Sequence, residues 1–220
     1  LLMNELMIKL SPSQKTKIKK DLLEAKIDRI ELCDTVLLMR WRSAIMDIIH
    51  GIAGAGKTAL LAAMTMIDHN LIKNEKGVSL CVTLSPFLNL SEAYMEYFIN
   101  HSKLFLKKGI NVICISSEKN PALENLNIVH GSESMRDIAE IPDSYGRFIK
   151  YDSINSNVIS EIKRFVKSTN RETVIVNVGT YSKLIDCDRY MELKALAKWV
   201  GWGSCSCSID ECHSSTSSEF

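Results

Sequence analysis

Gly51-x-x-x-x-Gly56-Lys57-Thr58 brings together residue types that suit one task, holding a phosphate chain. Gly51, Gly54 and Gly56 allow backbone conformations closed to larger residues and let the main chain approach an anion closely. Ala53 and Ala55, between them, keep the loop small. Successive N–H groups of such a loop turn inward, and a helix starting near Lys57 adds its positive end. The spacing predicts that Lys57 reaches the terminal phosphates and that the Thr58 hydroxyl ligates Mg²⁺. Phosphate hydrolysis also needs a carboxylate on the metal and a group facing the attacking water. Asp210-Glu211, followed by Cys212-His213, offers both: Asp210 for the metal's water shell, Glu211 for the water. An adjacent acid pair is by itself commonplace on a solvated surface, and it is the loop upstream that gives this one its meaning.

Other clusters carry less. Cys205-x-Cys207 with Cys212-His213 lacks the usual paired-ligand spacing of a zinc site, and Asp-Glu lies inside it, so no metal cluster is expected there. The seven cysteines are odd in number and dispersed, as reduced, buried thiols are. Lys15, Lys17, Lys19 and Lys20 lie on a capped, amphipathic helical pattern beginning at Ser11; they could touch nucleic acid, but a solvated helix face is the favoured explanation, since charge runs usually are that. A net charge of +1 gives no global field toward nucleic acid or membrane, so any such contact must be a local patch. No run approaches the ~18 apolar residues of a membrane span. The chain opens Leu-Leu-Met-Asn with no signal-peptide pattern, and we expect a missing start and an intracellular protein, cytoplasmic or nuclear.

The positioning elements follow from periodicity. With 220 residues, 46% of them hydrophobic, the chain can bury a sizeable core. Ile48 and Ile49 centre a short strand before the glycine loop; Leu60, Leu61, Met64 and Ile67 mark one face of the helix after it. Val78 to Leu84 is a buried strand and Leu88 to Leu106 a helix, with Leu90, Ala93, Tyr94, Tyr97, Phe98 and Phe105 as its stripe. Gly109 to Ile115, Thr173 to Val178 and Ser204 to Ile209 read as further strands; 158–166 and 190–199 read as helices. Residues 117–158 are an irregular excursion with short strands near Ile128 and Phe148. Residues 1–42 are a helical, partly basic lead-in and 43–220 one domain. Strand–helix alternation predicts an α/β fold, a mainly parallel sheet with helices on both faces.

These motifs together resemble the first RecA-like domain of superfamily 1 and 2 helicases and translocases, leaning to superfamily 2. Gly51 to Thr58 matches motif I, and Asp210-Glu-Cys-His213 is similar to motif II. Leu84 to Leu90, with Ser85-Pro86, looks like motif Ia; Val178 to Leu184, with Thr180-Tyr181, looks like motif Ib. The resemblance spans roughly residues 45–215, and motifs I and II are specific as a pair. It implies a RecA-like P-loop NTPase that binds ATP and Mg²⁺, with Gly51, Ala53, Gly54, Ala55 and Gly56 around the phosphates. It also implies that Lys57 and Glu211 are catalytic and that Ser85, Pro86, Thr180 and Tyr181 lie along a DNA or RNA track, DNA being favoured.

The departures have consequences of their own. The interval from Lys57 to Asp210 is longer than the family's, and no glutamine-centred adenine motif is visible. The second RecA-like domain, with its arginine fingers, would follow motif II. From its absence we expect the 220 residues alone to bind Mg²⁺-ATP weakly and hydrolyse it near background. Two alternatives stay open: an ATP-dependent switch acting on protein partners, and a truncated copy that binds nucleotide without turnover.

Overall fold

The computed structural model describes residues 27–32, 37–41, 47–50, 57–116, 128–130, 144–182 and 186–210. The basic helical pattern near Ser11 lies outside the described residues, as do Glu211, Cys212 and His213. So does the whole glycine loop: Gly51, Ala53, Gly54, Ala55 and Gly56, each expected at the phosphates, are outside them. The chain divides into two units, Leu1–Leu60 and Leu61–Phe220.

The first unit holds a three-stranded antiparallel meander: β1 (Ile27–Leu32), β2 (Leu37–Trp41) and β3 (Asp47–His50), in that order. The strand expected before the glycine loop is therefore present, but its partner is not the one expected. Ile48 and Ile49 pair with Met39 and Leu38 in an antiparallel ladder, so β3 belongs to this meander and not to the parallel sheet. Within the stretch expected as a helical lead-in, residues 27–32 and 37–41 are strands. Helix α1 (Lys57–Ile72) opens at Lys57, as the motif requires.

The second unit is built on a six-stranded sheet of β4 (Val78–Ser85), β5 (Asn111–Ile115), β6 (Ile128–His130), β7 (Phe148–Tyr151), β8 (Thr173–Thr180) and β9 (Cys205–Ile209), in the order β6-β7-β5-β8-β4-β9. Every pairing is parallel. The short strands at 128 and 148 join this sheet, so the irregular excursion contributes two of its strands.

Side chains alternate across the strands, and two cores result. On one face Leu80, Ile113, Ile149 and Ile175 pack with α3 (Ser156–Ser168) and α4 (Cys187–Val200) through Ile162, Phe165, Leu196 and Val200. On the other, Val112, Cys114, Val174 and Val176 pack with α2 (Leu88–Lys107) through Tyr94, Met95, Phe98 and Ile99, and with Ala62 of α1. The expected parallel sheet with helices on both faces is what the second unit contains. β4, β5 and β8 are apolar almost throughout because both of their faces are covered. β9, the outer strand beside β4 among the described residues, is half-exposed, which accounts for its serines and cysteines.

Candidate functional site

The order of the strands decides where a ligand fits. β4 leads into α2 on one face of the sheet, and its neighbour β8 leads toward α4 on the other. Connections that leave adjacent parallel strands to opposite faces open a crevice at their carboxyl ends, where open α/β sheets bind ligands. Ser85 pairs in register with Thr180, and Leu84 lies between Gly179 and Ile209. Ser85-Pro86, Thr180-Tyr181 and Asp210, far apart in sequence, thus follow three adjacent strands at one edge.

That edge is tied together by short bonds. The Asp210 N–H donates to the Leu84 carbonyl at 2.9 Å. The Tyr181 hydroxyl donates to the Asp210 carbonyl at 2.5 Å. The turn carrying Asp210 is therefore held by β4 and by the residue after β8, and Asp210 is only 5% exposed. Ser85 Oγ lies 2.6 Å from Ser91 Oγ and donates to the Phe87 carbonyl at 3.1 Å, which shapes the entry to α2. Thr180 Oγ1 and Ser182 Oγ are 3.0 Å apart. The side chains of Ser85, Thr180 and Tyr181 are buried, and Pro86 is half-buried. Immediately beyond them Phe87 and Leu88 are exposed.

Lys57 and Thr58, in the first unit, are half-buried in the first turn of α1. Of the predicted phosphate-binding residues these two are described, while Gly51, Ala53, Gly54, Ala55 and Gly56 are not. Among the described residues no group of three His, Cys, Asp or Glu side chains converges as a metal-ligand set. Burial pushes the Cys81 thiol up to about 12 and raises those of Cys205 and Cys207, so these thiols are poor nucleophiles. No helix among the described residues is long and apolar enough to cross a membrane.

The crevice contains residues that spacing did not single out. On the α3–α4 side it is lined by Ser116 after β5, Asp152 after β7, Asn177 and Gly179 of β8, and Arg189 of α4. One signal was present: Asn177 interrupts the apolar run Val174-Ile-Val-Asn-Val178.

A second polar cluster occupies the opposite edge. His69 of α1 is fully buried, with Nδ1 2.7 Å from Ser79 Oγ and Nε2 3.6 Å from Glu172 Oε2; Lys73 Nζ donates to Glu172 Oε1 at 2.5 Å. Desolvation lowers the His69 pKa, against the opposing pull of the Glu172 carboxylate. The Lys73 hydrogen bond holds the Glu172 carboxyl below its usual range. Ser, His and Glu occur here in contact, but Ser79 is wholly buried, so the cluster fastens α1 to β4 and to the start of β8. No protein-family model, curated protein or solved structure matches this chain.

Proposed function

We propose that this chain is the ATP-binding half of a RecA-like nucleic-acid helicase or translocase. In this reading Lys57 and the loop before it hold the phosphates, Thr58 and Asp210 serve Mg²⁺, and Glu211 orients the attacking water. Thr58 and Asp210 supply the oxygen donors that Mg²⁺ prefers. The observation that carries the reading is the convergence of Ser85-Pro86, Thr180-Tyr181 and Asp210 on the carboxyl ends of three adjacent parallel strands. Those are the positions the resemblance gave to two nucleic-acid elements and one metal element. An α/β fold and a helix opening at Lys57 are compatible with it.

Titration with a fluorescent ATP analogue, with and without Mg²⁺, tests the nucleotide half. Lys57→Ala removes a charge-assisted phosphate contact and is expected to weaken binding roughly 10- to 150-fold. Asp210→Asn is expected to reduce the Mg²⁺-dependent part of the affinity more than the rest. Equal affinity of the wild type and Lys57→Ala would make the loop a purely structural turn and end this proposal.

One observation favours a second reading, an ATP-dependent switch that acts on proteins. Phe87 and Leu88, 60% and 51% exposed, present apolar surface just beyond Ser85-Pro86. Stimulation of ATP turnover by single-stranded nucleic acid would favour the first reading over this one.

A further inference from the structure

Charge is segregated along two neighbouring helices. α3 lies between β7 and β8 in the chain, and α4 between β8 and β9. The strands are parallel, so both helices run the same way down one face of the sheet. Their second halves therefore lie together toward the amino ends of the strands. Lys163 Nζ stands 5.8 Å from the centroid of the Trp199 ring, which fixes that alignment. The first halves carry Glu161, Asp188 and Glu192 against Arg189. The second halves carry Lys163, Arg164, Lys167, Lys194 and Lys198, and no acid.

In a chain whose net charge is +1, that cluster is a local excess. Arg164, Lys167, Lys194 and Lys198 are exposed, and Lys163 is half-buried. None of the five is ion-paired with a described residue. The helix dipole favours a cation in the last turn, which accounts for Lys167 and Lys198. Lys163, Arg164 and Lys194 precede the last turn, where that effect has faded.

Aromatic side chains are set among these cations. Tyr190, Lys194, Lys198 and Trp202 recur every four residues, three on the outer side of α4 and the last in the turn after it. Each step of four rises about 6 Å along a helix. Tyr190 and Trp202 are 48% and 61% exposed, and Lys194 Nζ lies 6.0 Å from the Tyr190 ring centroid. Cations attract phosphates, and aromatic rings stack on bases, and neither contact reads sequence. A single strand offers both groups to one surface, whereas a duplex keeps its bases stacked inside. A helix lying on a membrane would turn an apolar face outward, but the outer side of α4 carries its lysines.

We propose that the outer face of α3 and α4 binds single-stranded nucleic acid without sequence preference. The five cations hold its phosphates, and Tyr190 and Trp202 stack on its bases. This surface is separate from Ser85-Pro86 and Thr180-Tyr181 at the carboxyl ends of the strands, and it requires no nucleotide at Lys57. The inference therefore stands or falls apart from the ATP-binding part of the reading above.

Fluorescence anisotropy with the full 220-residue chain and labelled single-stranded oligothymidine decides it. Affinity should fall with salt, with a slope of log K on log [salt] of roughly −3.5 if all five cations take part. Lys163→Gln, Lys167→Gln and Lys198→Gln together should reduce the slope by roughly 2. Trp202→Ala should weaken binding roughly 5- to 150-fold. Lys103→Gln, Lys107→Gln and Lys108→Gln, at exposed positions in and just after α2, remove the same charge and should leave affinity within about twofold. Melting curves check that each variant folds, and the fluorescent ATP analogue should bind all of them as it binds the wild type. Equal losses from the two lysine triples would mean that net charge alone attracts the strand, and the inference would fail. Wild-type affinity in either the α3–α4 triple or Trp202→Ala would overturn it as well. No binding by the wild type would do the same, and ATP-analogue binding would then still decide the nucleotide reading by itself. If the α3–α4 triple instead loses binding to phosphatidylserine vesicles while oligothymidine binding is unchanged, the surface belongs to a membrane and the nucleic-acid assignment is wrong.

Discussion

At the amino ends of the parallel strands, asparagines are fully engaged. Asn74 accepts from the N–H groups of Lys76 and Val78 and donates to the Val200 carbonyl at 2.8 Å. Asn111 accepts from the Arg147 N–H at 2.9 Å and lies within 3.4 Å of Thr169 Oγ1. At the carboxyl ends Asn177 has no such partner among the described residues. The glycines differ in the same way. A Cβ on Gly146, just before β7, would fall 1.9 Å from the Ile110 carbonyl oxygen, whereas one on Gly179 would meet no described residue within 4 Å. The contrast is confined to these positions: Asn74, Asn111 and Gly146 are closely engaged, whereas Asn177 and Gly179 have room beside them among the described residues.

The largest effect that would test this contrast is at Gly146. Its N–H donates to the Leu106 carbonyl at 2.7 Å, so the segment cannot move aside to admit a methyl group. Gly146→Ala is expected to cost at least about 3 kcal/mol, read as a fall of at least about 6 °C in Tm. A melting curve matching the wild type would show that the amino edge is softer than its packing implies, and the contrast would lose one side.

A smaller effect comes from His69, which faces Ser79, Glu172, Lys73 and the edge of the Phe105 ring. Burial lowers its pKa from 6.5, so the folded protein holds it neutral. Its contribution is fully present above the unfolded value and is lost as pH falls through the folded one. Glu172, also lowered, loses its own contribution further down, as pH falls below 4.5. Both act in one direction, so acidification from neutral pH weakens the fold, His69 contributing no more than about 1.4 kcal/mol per pH unit. Urea unfolding at a series of pH values measures the slope. His69→Gln should flatten it between pH 7 and 5.5, and an undiminished slope in that variant would move the titration elsewhere.

The sequence reading succeeded where both faces of an element are buried. Val78 to Ser85 and Thr173 to Thr180 are near-continuous apolar runs, which only a covered strand tolerates. It succeeded less well where a run says nothing about its partner. Ile48 and Ile49 announce a strand, but four residues carry no record of whether β2 or the parallel sheet receives them. Helix faces were offset for a related reason. Apolar residues surround α1, so no stripe stands out, and the positions turned inward include the small or polar Ala62, Thr65 and His69. In α2, Tyr97 belongs to the expected stripe but is 44% exposed, while Ser91 and Ser102 are buried because their hydroxyls bond locally, to Ser85 and to the Ile99 carbonyl. The strand-end motifs were legible as residues, since Ser85-Pro86 and Thr180-Tyr181 punctuate apolar runs. The cleft was not, because Ser116, Asp152, Asn177 and Arg189 come from four segments with no shared spacing.

The smallest effect is the one that separates folding from function most cleanly, since it predicts no loss of stability at all. Asn177→Val replaces a half-buried amide that bonds no described residue with a β-branched apolar side chain, on a strand whose same-face neighbour, Ile175, is wholly buried. Asn177→Val should therefore raise stability by about 0.5–1 kcal/mol, or about 1–4 °C in Tm for a chain of this size. Gly179→Ala should leave it unchanged within about 0.5 kcal/mol, or raise it slightly by restricting the unfolded chain. A structural asparagine behaves in the opposite way: Asn111→Val, at the amino end of β5, strands the Arg147 N–H and should destabilise. Running the three melts side by side asks whether the two edges obey different rules. A loss of more than about 1 kcal/mol in Asn177→Val would mean that its amide holds the sheet together as Asn111 does, and the carboxyl edge would then carry no residue kept at the expense of the fold.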